Sequence, residues 1–191
     1  MSGGPYAVEV AALTKEQYFE AAFDIIATQG FDALTITALC ERLDVTIGSF
    51  YHHFKGSKAF LDAFYQYWET EHAYQLVEQA RLEDDPLARL ALLKKLASAL
   101  PHEAEAAIRA WSRRDPDAAA AQRRVDEARI GVIVDTLRRL GLPPGRARTL
   151  ALMAVSVLVG AQQLGRADDA ALMRKVFDEL ENWLAGAAAS S

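Results

Sequence analysis

From Lys15 onward the apolar residues recur at intervals of three and four, the period of an α-helix with one buried side. Phe19, Ala22, Phe23 and Ile26 form the first stripe. Thr14 stands before it as a cap with Gln17 as its capping-box partner, and Gly30 closes the helix. Ile36, Leu39 and Leu43 repeat the period behind Thr35, with Cys40 beside Leu39. Asp44 and Val45 interrupt it, and Thr46 can cap a further short helix running toward Phe54. At about 100° per residue, Phe50, His53 and Phe54 fall on one side of that helix, while Ile47, Gly48, Tyr51 and His52 fall on the other. The first set anchors a small core and the second is presented outward, which is the plan of a helix-turn-helix. Phe60, Leu61, Phe64, Tyr67 and Trp68 then predict a fourth helix, capped by Ser57 and running to about Leu82.

Glu83-Asp84-Asp85-Pro86 marks a boundary, acidic residues and proline being typical of a helix start. Beyond it, Leu93, Leu96 and Leu100 share a face. Pro101 restarts a helix carrying Ile108 and Trp111, and a long helix runs from Asp117 to about Leu140. Leu150 to Ala161 is apolar all round except at Ser156, yet too short for a membrane span of about twenty residues. Such a helix needs cover on every side. Asp169 to Leu184 supplies Leu172, Val176, Phe177, Leu180, Trp183 and Leu184 as one broad stripe. Two such helices from each of two chains would make a four-helix interface, so a homodimer through about 146–184 is expected. The expected fold is all-α, with about nine helices: a three-helix head over 13–58 and a larger helical body over 59–185. Residues 1–12 read as a disordered start and 186–191 as a flexible tail.

Composition narrows the function. The chain has 191 residues, half of them apolar and a quarter charged, so it can bury a real core. Cys40 is the only cysteine, which excludes an internal disulfide and suits a reduced, cytoplasmic setting. No secretory signal or membrane span is legible. A glycine-rich phosphate loop, a nucleophile elbow and a paired histidine–glutamate motif are all missing, so catalysis is not expected and no cofactor is implied. His52 and His53 point about 100° apart on one helix, and His72 and His102 belong to different helices, so no metal site is expected.

The run Thr46-Ile47-Gly48-Ser49-Phe50-Tyr51-His52-His53-Phe54-Lys55, following an aromatic-rich helix that ends at Gly30, resembles the recognition helix of the TetR family of transcriptional regulators. The likeness covers about the first third of the chain. Ile108 to Pro116 also resembles this part of some family members. Two positions depart from the family pattern. Asp44 stands at a turn position that is usually Gly, and Ser57-Lys58 stands where Lys and an acidic residue are usual. Asp tolerates the positive φ that such a turn requires. An Arg/Lys-rich N-terminal arm, present in some members, is not found here.

The resemblance implies a homodimeric, ligand-responsive regulator, most often a repressor, that binds a palindromic double-stranded DNA operator and is released by a small-molecule effector. The DNA-facing residues would be Thr35, Thr37, Thr46, Ile47, Gly48, Ser49, Tyr51, His52, Lys55 and Lys58. Among them, Tyr51 resembles the family tyrosine that contacts phosphate, and Ile47 suits a thymine methyl. Gly48 reads either as a site of close approach to DNA or as a packing glycine between helices. Trp68, Trp111 and Met153 are the effector candidates, each also readable as plain core. Charge opposes the DNA reading: residues 1–58 hold Lys15, Arg42, Lys55 and Lys58 against Glu9, Glu16, Glu20, Asp24, Asp32, Glu41 and Asp44. The alternative is a helical dimer with a DNA-inactive head that acts by protein or ligand binding.

Overall fold

Thr14 opens the first helix as a reciprocal cap. Its hydroxyl accepts from the Gln17 amide at 3.4 Å, and its own amide donates to Gln17 Oε1 at 2.8 Å. The helix, α1 (Lys15–Gln29), buries Tyr18, Phe19, Ala22, Phe23, Ile25 and Ile26 and stops at Gly30, where φ is 82°. A short 3-10 turn at Phe31–Ala33 leads to α2 (Ile36–Arg42), capped by the Thr35 hydroxyl on the Ala38 amide. Asp44 turns the chain at φ 53°, as the helix-turn-helix pattern requires, and Thr46 caps α3 (Ile47–His53) through the Ser49 amide. These segments belong to a computed structural model that describes residues 13–165 and 169–189. The expectation of disorder over 1–12 lies outside the described residues.

Ten α-helices stand among the described residues, one more than the sequence suggested. The extra one comes from the fourth helix. It starts as α4 (Ser57–Glu69), passes through one π turn at Thr70–Tyr74, and resumes as α5 (Gln75–Arg81). Its cap also differs. Gly56, at φ 111°, occupies the capping position and Ser57 is already helical. The body continues with α6 (Pro86–Ser98), α7 (His102–Trp111), α8 (Pro116–Arg139), α9 (Pro144–Gln163) and α10 (Ala170–Ala189). Helix α10 runs on through Ala189, so most of the expected tail from 186 is helical. Small alanines there carry high helix propensity, which sustains the helix past its last large apolar residue.

One buried cluster links head to body. Phe19, Phe23, Phe50, Phe54, Phe60 and Phe64 interleave around α1, α3 and α4. The same cluster continues through Tyr65 and Trp68 to Ala104 and Ile108 on α7 and Val125 on α8. Ring pairs such as Phe19 with Phe60 (5.8 Å) and Phe23 with Phe64 (4.9 Å) fix the angle at which α4 leaves the head. Deeper in the body, Arg89 is fully buried and joins three elements. Its guanidinium donates to the carbonyls of Arg81 and Glu83, beyond which α5 has ended, and to Asp135 on α8. Removing that side chain would orphan helix-end carbonyls, a buried polar cost of about 1–3 kcal/mol each. No helix among the described residues is long and apolar enough to cross a membrane.

Candidate nucleic-acid interface and ligand cavity

Helix α3 is held by its inner side. Phe50 is fully buried, with its ring edge-on to Tyr18 at 5.9 Å, and His53 leans on Tyr18 at 5.4 Å. The opposite side is open. Ile47 and Tyr51 are about half exposed, and Gly48 and His52 lie beside them at the surface. Two large apolar or aromatic side chains left in water on a single short helix ask for a partner surface. Gly48 does not pack between helices. A methyl group added there would meet only Thr46 Oγ1, at 3.6 Å, so the glycine keeps the outer surface flat. Thr35, Thr37, Thr46 and Lys55 are exposed on the same end of the molecule. Ser49 is partly withdrawn, because its hydroxyl pairs with the Tyr18 hydroxyl at 2.9 Å.

The cations of the head are mostly committed. Arg42 binds Asp24 at 2.7 Å and Lys15 lies 5.7 Å from the Phe54 ring centre. Lys58 meets Asp62 and, across to α8, Asp117, both at 3.1 Å, and these carboxylates raise its pKa. Among the described residues of the head, Lys55 alone has neither a carboxylate nor a ring partner. Cys40 is buried with its thiol 3.7 Å from the Thr46 carbonyl, and burial pushes its pKa up, which keeps it a packing residue. Among the described residues no cluster of ligating side chains is placed to hold a metal.

The three effector candidates are not brought together. Trp68 is fully buried in the cluster that links head and body, Trp111 stacks on Phe31 at 4.6 Å, and Met153 is exposed on α9. None of them lines the apolar cavity that lies inside the body. That cavity has a volume of about 110 Å³. Its walls come from six elements: Ala73 in the π turn, Leu76 and Val77 on α5, Leu93 and Leu96 on α6, Val132 on α8, Leu158 on α9, and Phe177 on α10. One of the lining residues, Ala73, belongs to the π turn, and such turns frequently mark functional sites. Sequence reading missed the cavity because its lining is ordinary leucine and valine. Only the leucine face at 93, 96 and 100 gave a trace of it.

Polar residues stand at two places in the wall. Deep inside, Arg129 makes two bonds to Glu105, one at 3.0 Å, and Glu105 also accepts from Gln162 at 2.9 Å. His102 sits beside this group, 3.3 Å from Gln162, and burial lowers its pKa. Where the cavity meets solvent, Lys94 on α6 reaches Glu181 at 2.5 Å and Asp178 at 2.8 Å, both on α10.

Residues 19–64 match the sequence model of the bacterial regulatory proteins of the tetR family. Among curated proteins compared by sequence, none matches. The whole chain superimposes on solved regulators of low identity. A transcriptional regulator from Rhodococcus sp. Rha1 gives a TM-score of 0.75 at 16% identity, covering 92% of this chain and 96% of the other. The putative transcriptional regulator from Pseudomonas aeruginosa PAO1 gives 0.75 at 18%, covering 95% of each. The regulator FadR from Bacillus subtilis, solved in complex with stearoyl-CoA, gives 0.63 at 16%, covering 87% and 97%. The head, over residues 19–64, thus carries the sequence pattern of the tetR family of bacterial regulatory proteins, and the all-helical chain shares the fold of solved transcriptional regulators.

Proposed function

We propose that the protein is a homodimeric transcriptional repressor that releases a palindromic operator when a small apolar effector enters the body. The observation that carries the DNA role is the outer side of α3. Ile47, Gly48, Tyr51 and His52 stand open over a fully buried Phe50, on a helix of the size a major groove admits. Tyr51, Thr46 and Lys55 serve phosphates and set the register. Ile47 and His52 meet base edges. Residues 13–58 act as the reading head and 59–185 as the effector-binding and dimerisation body.

Dimerisation is supported by the outward sides of α9 and α10, where Leu152, Met153, Leu172 and Trp183 are all large and exposed. The cavity supports the effector role, and the course of α4 supports the coupling. The helix leaves the recognition element at Gly56 and, through its π turn and α5, becomes a wall of the cavity at Ala73, Leu76 and Val77. A ligand that favours one position of this wall moves the head, and DNA favours the other position. The stearoyl-CoA held by the Bacillus subtilis regulator and the fatty-acid role assigned to a Clostridium perfringens relative (TM-score 0.68) agree with a long apolar ligand.

Fluorescence anisotropy with DNA from beside the gene tests the reading. The native protein binds, and Tyr51→Ala and His52→Ala each weaken binding by about tenfold, the effect of about 1.4 kcal/mol, without changing dimer mass. Equal binding by both variants would show that α3 meets DNA by another side. No binding at low salt across genomic fragments would remove the DNA role itself.

A further inference from the structure

The charges around the cavity define the kind of head group that its occupant carries. Three charged residues line it: Lys94, Arg129 and Glu181. Neither cation is available to an anion. Arg129 is about nine-tenths buried and gives both ends of its guanidinium to Glu105. Lys94 is less than one-third exposed and is bracketed by Glu181 and Asp178 at 2.5 and 2.8 Å. Around the mouth, therefore, one positive group faces two negative ones, and around the deep end the pair is neutral. A carboxylate or phosphate entering with an apolar chain would have to break Lys94 away from two carboxylates and then sit among them. Like charges at contact distance in a half-buried site repel by amounts that matter. The remaining wall is aliphatic or aromatic, with Leu, Val, Ile, Ala and Phe side chains from six elements.

We propose that the effector has an apolar chain and a head without negative charge, such as a long-chain alcohol, an alkyl ester or a hydrocarbon. This rests on the cavity being the effector site, and it excludes a free fatty acid or a phosphate-bearing thioester as the natural ligand. The bridge of Lys94 to Glu181 and Asp178 ties α6 to α10 over the mouth. It selects by leaving no cation to reward an anion.

The test uses full-length protein with 1-decanol, methyl decanoate and sodium decanoate, read by thermal shift and by release of bound DNA at pH 7.5. The alcohol and the ester raise the melting temperature and release DNA, and decanoate needs about a tenfold higher free concentration for the same effect. The double variant Asp178→Asn/Glu181→Gln frees Lys94. It improves decanoate binding by about tenfold relative to decanol. Decanoate acting as well as decanol on the native protein overturns the proposal, as does a double variant that treats all three ligands as the native protein does. Leu93→Trp, which fills the cavity from α6, separates the two readings. If decanol still binds that variant undiminished, the cavity is not the effector site. If decanol is lost but decanoate was the better native ligand, only the charge inference fails. If none of the three ligands binds the native protein, both fall.

Discussion

Asp44 is the only described non-glycine residue with positive φ, and it sits between the two helices that the whole head depends on. Its 53° falls in the left-handed region, where a Cβ crowds the following carbonyl at a cost of about 1–2 kcal/mol, less for Asp and Asn. Glycine removes that crowding but loosens the unfolded chain, and the two effects nearly offset. Asp44→Gly is therefore expected to stay within about 0.5 kcal/mol of the native protein, while the β-branched Asp44→Val loses about 1–2 kcal/mol. Urea unfolding of the three proteins decides it, and equal midpoints for the valine and glycine variants would mean that the turn relaxes freely. At this scale the sequence was highly legible. The caps at Thr14, Thr35 and Thr46 and the glycine stop at Gly30 are local chemistry, and each holds as read. Ser57 and Ser49 were less so. Gly56 had already taken the cap before α4, and the Ser49 hydroxyl found Tyr18, thirty-one residues away, which no local pattern reveals.

Lys58 shows how a residue's role is decided by the elements on either side of it. It stands in the first turn of α4, where it would reach a phosphate, yet it braces that helix to the first turn of α8 through Asp117. Both partners are largely exposed, so the brace contributes little stability, about 0–1 kcal/mol. Its effect on DNA binding is expected to be larger, since Asp117 would compete with a phosphate for the one ammonium. Asp117→Asn is expected to tighten operator binding a few-fold and to steepen the slope of log K against log salt by about one, the signature of one added phosphate contact. An unchanged slope would place Lys58 off the DNA. The sequence showed the lysine but not its partner, fifty-nine residues on. The π turn at Thr70–Tyr74 was invisible for a related reason. It adds one residue to a helical turn without altering the apolar content that a period-based reading follows. The cavity it helps to shape was hidden too, because an apolar wall and an apolar core are composed alike. On α10 the single stripe expected from the sequence divides in two. Phe177 and Leu184 are buried, whereas Leu172 and Trp183 face outward.

For the molecule as a whole, the decisive question is how so acidic a head holds DNA. The first 58 residues carry four basic and seven acidic side chains, and among the described ones Lys55 is the single cation left uncommitted. One head alone therefore gains little from phosphate contacts. A symmetric dimer changes the arithmetic without adding any contact of a new kind. Once one head is seated, the second meets its half-site at the effective concentration set by the body, and overall affinity can rise by about 10²–10⁴. In the proposed dimer that pairing uses the outward face of α9 and α10, where Leu152 on one helix and Trp183 on the other are exposed. Leu152→Glu combined with Trp183→Glu places carboxylates on this face while leaving Phe177, Leu184 and the cavity wall in place. Sedimentation is expected to give the native protein twice the chain mass and the variant a single chain mass, with circular dichroism unchanged. On a palindromic site the variant loses about a hundredfold or more in affinity, but on an isolated half-site it binds as the native protein does. A variant that is monomeric yet binds the palindrome as tightly as the native protein would show that the head needs no partner. A variant that remains dimeric would move the interface away from α9 and α10.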